Sequence, residues 1–376
     1  MKVQEIESHP PVGKLHYATK VVMVLLSVVF FLLAIDLMDY AFERLRQDMA
    51  SSLLLVTTDP FIGLFVGLLL TALIQSSSTS TSMIVALVGS NTISLSAAVP
   101  LIMGANIGTT LTSTVVSLGY ITSKREFRKA LSAGIVHDIY NIILIAILFP
   151  LEYYYHLLSH TSQALLAGVS GSGGAVFLKR ISFGIQGMPE LGAYLAEVIG
   201  NSWVMLVLSF VLLFASIKII SGVISSTLIG SSRNRVQTYV FQNPYRSFAW
   251  GGGLTAAVQS SSVTTSLIVP LVATGKVSLS KAFPFIIGAN LGTTLTALVA
   301  ALSISEAAIG VAIVHLLINL VGVILFLPFR PLRKIPVNLA TLFGKLTLRH
   351  RIYGFLYIML MFFIIPFILI YLHRGA

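Results

Sequence analysis

Two short polar runs interrupt long apolar stretches. Gln75, Ser76, Ser77, Ser78 and Thr79 separate 61–74 from 83–88, and Gln259, Ser260, Ser261 and Ser262 separate 248–258 from 267–272. Hydroxyls and a Gln amide can donate to ligand oxygens. A half-helix N-terminus adds backbone N–H groups with a partial positive charge. Such a cradle suits a tetrahedral oxyanion. One serine cluster alone reads as helix–helix glue, because small residues let backbones approach. Two copies, each preceded by Gln, favour a ligand. A second duplicated motif contains Gly104, Ala105, Asn106, Gly108, Thr109 and Thr110, with twins Gly288, Ala289, Asn290, Gly292, Thr293 and Thr294. Its glycines would permit an unwound turn, and its carbonyl, Asn and Thr oxygens are hard ligands suited to an alkali cation. The competing reading is a glycine packing contact.

Asp138 is an isolated carboxylate inside the apolar run 130–150, beside His137. An ionisable group at membrane depth is a functional candidate by default; the alternative is a boundary residue paired with Arg128 and Lys129. His137 and His315 read as hydrogen-bonded structural groups before proton carriers or metal ligands. Several chemistries drop out. Cysteine is absent, which excludes a thiolate site. There is no H-E-x-x-H, and the Gly-Thr-Thr turns lack the lysine of a phosphate loop. A hydrolase using Ser77 or Ser261 with His137 or His315 would lack a nucleophile elbow and need two nucleophiles. No catalytic residue is assigned, and the chain does not read as an enzyme. Neither polar core contains Lys or Arg. An anion bound there has no fixed counter-charge, and burying it uncompensated is costly. It must bring mobile cations, which favours cation-coupled symport over a channel lined by basic residues.

The elements that position these groups are apolar. The chain has 376 residues, 56% hydrophobic and 10% charged, with mean hydropathy +0.92; soluble domains are about a quarter charged. No Lys, Arg, Asp or Glu occurs in 60–123. Full spans are expected at 18–40, 94–119, 130–150, 203–222, 282–303, 307–328 and 352–372. The segment 61–75, about 22 Å as a helix, is too short to cross and is followed by the serine run. It reads as half of a re-entrant hairpin, tolerated only where buried or lining a wet cavity; 248–272 repeats the pattern. The net charge of +11 sits in loops: Lys124, Arg125, Arg128 and Lys129; Arg233, Arg235 and Arg246; Arg330, Arg333, Lys334, Lys345, Arg349 and Arg351. This is the positive-inside signature, with these loops and the N-terminus (Lys2, Lys14) cytoplasmic, 151–200 and the C-terminus outside, and no nucleic-acid role. Tyr153, Tyr154 and Tyr155 read as interface anchors.

The chain also repeats itself. Residues 71–112 align without gaps on 255–296, and the match resumes at His137/His315, Asn141/Asn319 and Pro150/Pro328. Three expected spans separate the two hairpins. An odd number inverts the second copy, the layout many secondary transporters use for alternating access, with the site at the repeat interface. The fold class is therefore an all-α polytopic membrane protein with two inverted-topology repeats, each holding a re-entrant helical hairpin, a broken helix and further spans. The expected divisions are 1–58 (N-terminal segment and first span), 59–150 (repeat 1), 151–242 (outer loop and linking span), 243–328 (repeat 2) and 329–376 (cytoplasmic loop and last span).

With Gln75 to Ser82, Gly104 to Thr110, Val136-His137-Asp138, Gln259 to Ser262 and Gly288 to Thr294, the chain resembles the type II sodium–phosphate cotransporters over roughly 20–372. The resemblance implies sodium-driven uptake of inorganic phosphate, chiefly as HPO₄²⁻, without a cofactor.

 It places phosphate at Gln75, Ser76, Ser77, Ser78, Thr79, Gln259, Ser260, Ser261 and Ser262. It places sodium, the only metal expected, among Ser82, Asn106, Thr109, Thr110, Asp138, Asn141, Ser266, Asn290, Thr293, Thr294 and Asn319. An Asp at position 138 accompanies, in that family, an extra sodium and electrogenic transport. The family also implies a homodimer of independent subunits in the lipid bilayer. The short 151–200 segment and the end at Ala376 suggest a bacterial inner-membrane member. From the residues alone, a cation-coupled carrier of sulfate or a dicarboxylate, or an anion channel, stays open.

Overall fold

The computed structural model describes residues 19–23, 25–30, 33–34, 36–37, 40–41, 44, 59–171, 189–228, 239–302, 304–348 and 350–373. Lys2, Lys14, Arg233, Arg235, Arg349 and the 172–174 glycine-rich stretch lie outside them. All regular structure among the described residues is helical.

The first repeat opens with α1 (Pro60–Ile74), 15 residues long. Asp59 caps it by accepting from the Phe61 and Ile62 N–H groups at 2.8 and 3.2 Å, and Pro60 sits where no intrahelical N–H is needed. The helix stops at Gln75, whose φ of 55° is left-handed. Ser76 restarts the chain as α2 (Ser77–Gly89), its Oγ accepting from the Thr79 N–H at 3.3 Å. The second repeat does the same. Asn243 caps α9 (Pro244–Val258), Gln259 ends it at φ 55°, and Ser260 caps the next helix through the Val263 N–H. At 15 residues, α1 and α9 are shorter than the roughly 20 a crossing needs. The copies then differ. α2 is continuous, whereas its counterpart breaks at Leu267 into α10 (Ser261–Ser266) and α11 (Ile268–Ala273). Pro270 lacks the N–H that would reach the Ser266 carbonyl, which accounts for the break.

Next come α3 (Leu95–Gly108) with α4 (Leu111–Leu118), matched by α12 (Leu279–Gly292) with α13 (Thr294–Leu302). The glycines of the duplicated motif do not open an unwound turn. They lie within α3 and α12 as contact points against α1 and α9. A Cβ on Gly104 would stand 1.8 Å from the Leu64 carbonyl oxygen, and one on Gly288 2.0 Å from that of Phe248. The breaks after them are tight: Thr109 and Thr110 keep right-handed helical dihedrals, as does Thr293. Glycine is needed here because two backbones touch.

Long helices α5 (Lys124–Tyr155) and α14 (Glu306–Phe326) complete the repeats. The halves interlock: α2 packs on α13 and α14, while α10 and α11 pack on α4, and α11 on α5. Tyr140 anchors the shared core, its ring 5.7 Å from Phe283 and 5.2 Å from Phe326. Among the described residues, five helical stretches are long and apolar enough to cross a membrane: Leu95–Leu118, Lys124–Tyr155, Leu279–Leu302, Glu306–Phe326 and Ile352–His373. The expected spans at 18–40 and 203–222 correspond to shorter apolar stretches, Thr19–Phe30 and Ser202–Leu212, within the described residues.

Segments read as loops are largely helical. α5 runs on through Tyr155, followed by α6 (Leu157–Gly171) and α7 (Pro189–Ile199), ahead of α8 (Ser202–Leu228), the helix at the expected span 203–222. Glu152 organises the first of these joints, accepting from the Leu158 N–H at 2.7 Å and from the Ser159 hydroxyl. In 329–376, α15 (Arg330–Leu346) lies against α5. It turns into α16 (Ile352–Met359), a π-helical turn (Leu360–Ile364) and α17 (Ile365–His373).

Candidate functional site

The two serine bends meet. Ser77 Oγ and Ser261 Oγ stand 3.5 Å apart, buried, and Ser78 Oγ donates to the Gln259 carbonyl at 2.7 Å. Each bend is a helix end followed at once by a helix start. The first turns of α2 and α10 therefore present backbone N–H groups that have no intrahelical acceptor. Ser76 and Ser260 spend their hydroxyls as N-caps, and Thr79 Oγ1 bonds Ser76 Oγ at 2.8 Å. Ser77 and Ser261 are left facing each other across the repeats. Gln75 and Gln259 do a backbone job as well, holding the left-handed turn. That conformation costs a non-glycine residue about 1–2 kcal/mol, and such strain concentrates at ligand clamps. The Gln75 side chain is exposed and that of Gln259 half-buried.

A second cluster joins the repeats crosswise. His137 Nε2 bonds Asn290 Oδ1 at 3.0 Å, and His315 Nε2 bonds Asn106 Oδ1 at 3.1 Å. Asn290 Nδ2 donates to Asn141 Oδ1 at 2.9 Å and Asn319 Oδ1 at 2.7 Å. Asn141 Nδ2 donates to the Asn106 carbonyl at 2.6 Å, and Asn319 Nδ2 to the His315 carbonyl at 3.0 Å. Every member is buried. Asn106, Asn141, Asn290 and Asn319 are thus brought together, and the histidines are the hydrogen-bonded groups expected. The threonine hydroxyls turn back on their own helices: Thr109 to the Ala105 carbonyl, Thr110 to Ile107, Thr293 to Ala289 and Thr294 to Leu291, at 2.7–3.1 Å. The expected open carbonyls at these turns are therefore capped.

Asp138 lies fully buried, and its partners are not Arg128 or Lys129, the alternative reading of its position. Its Oδ1 is 3.2 Å from Thr110 Oγ1, and its Oδ2 accepts from the Tyr357 hydroxyl. Tyr357 was not singled out in the sequence; a phenol within the last apolar run was the signal. Among the described residues, no Lys or Arg bonds any residue of these three clusters. The buried hydroxyls without partners include three equivalent pairs, Thr71 and Thr255, Ser82 and Ser266, Thr112 and Thr296, and also Thr81, whose equivalent Thr265 bonds the Ser261 carbonyl, and Tyr140; Asn106 Nδ2 is also unpartnered. Unmet donors and acceptors of this kind are costly unless a ligand or water completes them. Ser82 and Ser266 are thus free to act, while Ser76 and Ser260 are engaged.

The chain is 28% identical to the sodium-dependent phosphate transport protein 2A of Mus musculus and 26% identical to the 2B protein of Homo sapiens, in each case over 92% of this chain. It spans 66% and 64% of the length of those relatives. No solved structure matches. Residues 30–169 and 203–348, which carry both serine bends, both Asn-Thr turns and Asp138, match the family model described as Na+/Pi-cotransporter. The chain is an integral membrane protein and belongs to the type II Na+/Pi-cotransporter family.

Proposed function

We propose that this protein is a sodium-coupled symporter that imports inorganic phosphate, as HPO₄²⁻, by alternating access. The observation that carries the reading is the meeting of Ser77 and Ser261 in surroundings without a Lys or Arg partner. Phosphate would lie at Gln75, Ser76, Ser77, Ser78 and Thr79 and at Gln259, Ser260, Ser261 and Ser262, with backbone N–H groups of α2 and α10 supplying partial charge. Sodium would be held by Ser82, Ser266, the Asn106, Asn141, Asn290 and Asn319 oxygens, Thr109, Thr110, Thr293 and Thr294, and by Asp138. Two sodium ions neutralise the divalent anion. A third at Asp138 makes each cycle carry one positive charge inward, worth about 2.3 kcal/mol per 100 mV.

The half-length α1 and α9, each turning back at a strained Gln, support re-entrant hairpins. The odd number of expected spans between them supports an inverted second repeat, and the crossed His–Asn bonds are contacts that two rocking halves would exchange. The relatives' printed names support sodium and phosphate as the cargo. Uptake of labelled phosphate into proteoliposomes tests the reading. An inward sodium gradient should drive accumulation, and choline in its place should abolish it; accumulation indifferent to sodium refutes the coupling. Arsenate should compete and sulfate should not.

A further inference from the structure

The Asp138 cluster is built differently from everything else in the two repeats. The spacing that pairs His137 with His315 puts Leu316 at the position of Asp138, and Leu316 is exposed. The carboxylate has no twin. Nor does its donor: Tyr357 lies in α16, beyond both repeats and 219 residues along the chain. Thr110 does have a twin, Thr294, whose hydroxyl bonds only the Leu291 carbonyl.

The two donors to Asp138 are unequal. A threonine hydroxyl has one proton. Thr110 Oγ1 lies 2.8 Å from the Ile107 carbonyl and 3.2 Å from Asp138 Oδ1, so its proton serves the carbonyl first. The Tyr357 phenol bonds Asp138 alone. Its ring packs edge-on against Phe343 at 5.5 Å and lines an apolar cavity of about 310 Å³ between α5, α15 and the last span, with Leu131, Ile135 and Leu360. The ring therefore has room on one side and a single polar anchor on the other. Immediately after it the helix enters the π-helical turn Leu360–Ile364, a departure frequent at functional sites.

We infer that Tyr357 is a positioning residue for the cation at Asp138: its hydroxyl fixes Oδ2 and leaves Oδ1 to meet the ion, tying the last span to the sodium step. The inference rests on reading Asp138 as a cation site. A phenol that donates to a carboxylate adds no charge, so it orients the ligand without competing with the ion electrostatically. Removing it should weaken sodium binding while leaving the serine bends, and hence phosphate recognition, intact.

The test compares wild type, Tyr357→Phe, Asp138→Asn and the double variant in proteoliposomes, by phosphate uptake and by sodium-evoked charge movement without phosphate. Tyr357→Phe should raise the sodium concentration for half-maximal charge movement about tenfold, the equivalent of one charge-assisted hydrogen bond. Its KM for phosphate at saturating sodium should stay within about twofold of wild type. Asp138→Asn should abolish the sodium-evoked charge movement and lower the charge carried per phosphate. In the Asp138→Asn background, Tyr357→Phe should change neither the sodium dependence of uptake nor the protein's thermal stability further; a purely structural tyrosine would lower stability in both backgrounds. If Asp138→Asn alters the charge movement and Tyr357→Phe does not, the inference is overturned while the carboxylate reading stands. If Asp138→Asn changes nothing, the carboxylate reading falls and the inference with it.

Discussion

Asn106 and Asn290 hold equivalent places in the two repeats and are treated differently. Asn290 uses all of its side chain, accepting from His137 and donating to Asn141 and Asn319. Asn106 accepts from His315 while its buried Nδ2 has no partner. The same imbalance runs through the halves. The serine helix of repeat 1 is continuous and that of repeat 2 is broken ahead of Pro270. Repeat 1 carries Asp138 where repeat 2 carries Leu316. Duplication supplies a symmetric frame of bends, close-packed glycines and crossed bonds; the departures from symmetry mark where a cation could be handled on one side only.

The largest effect should come from the shared frame. Gly104→Leu and Gly288→Leu should each prevent accumulation of folded protein, since even a Cβ would stand within 2.0 Å of a facing carbonyl oxygen. Detergent-solubilised yield and thermal unfolding check this, and a repeat that tolerates the change would end the equivalence of the two contacts. Ser77→Ala and Ser261→Ala should each weaken phosphate binding about 10- to 100-fold, the range for a hydrogen bond to a charged group. Their double variant should cost less than the sum, because each hydroxyl faces the other; additive losses in uptake KM would place the two serines in separate sites.

Smaller differences sharpen the asymmetry. Asn290→Ala should destabilise by about 3 kcal/mol, since it strands several buried partners, against about 1 kcal/mol for Asn106→Ala. Thermal unfolding of the two variants gives the order, and equal losses would erase the distinction. Asp138→Asn should remove one charge per phosphate carried while altering phosphate KM little. Leu316→Asp in that background should not restore it, because position 316 is exposed whereas Asp138 is fully buried; charge-to-uptake ratios decide both.

Much of this was legible without coordinates. The duplicated Gln-Ser-Ser-Ser runs, the half-length apolar segments before them and Asp138 stand out because polar residues in an apolar chain are few. The glycines were readable in two ways, and the structure chose packing: an open turn and a touching backbone demand the same residue. The 151–200 segment did not read as helical, since Gly171-Ser172-Gly173-Gly174 and the mixed polarity around it masked α6 and α7. Tyr357 was hidden because tyrosine is common near membrane boundaries and its partner lies far away in the chain.

Composition, polarity pattern and internal repetition alone determined that this is a helical membrane protein built twice around a polar break, for these are local properties of the chain. Which serine meets which, that His137 reaches Asn290 and His315 reaches Asn106, and that a tyrosine outside both repeats holds Asp138 were decided only by tertiary packing. Those pairings join residues more than 140 positions apart, and no periodicity in sequence encodes which distant helix faces will be pressed together.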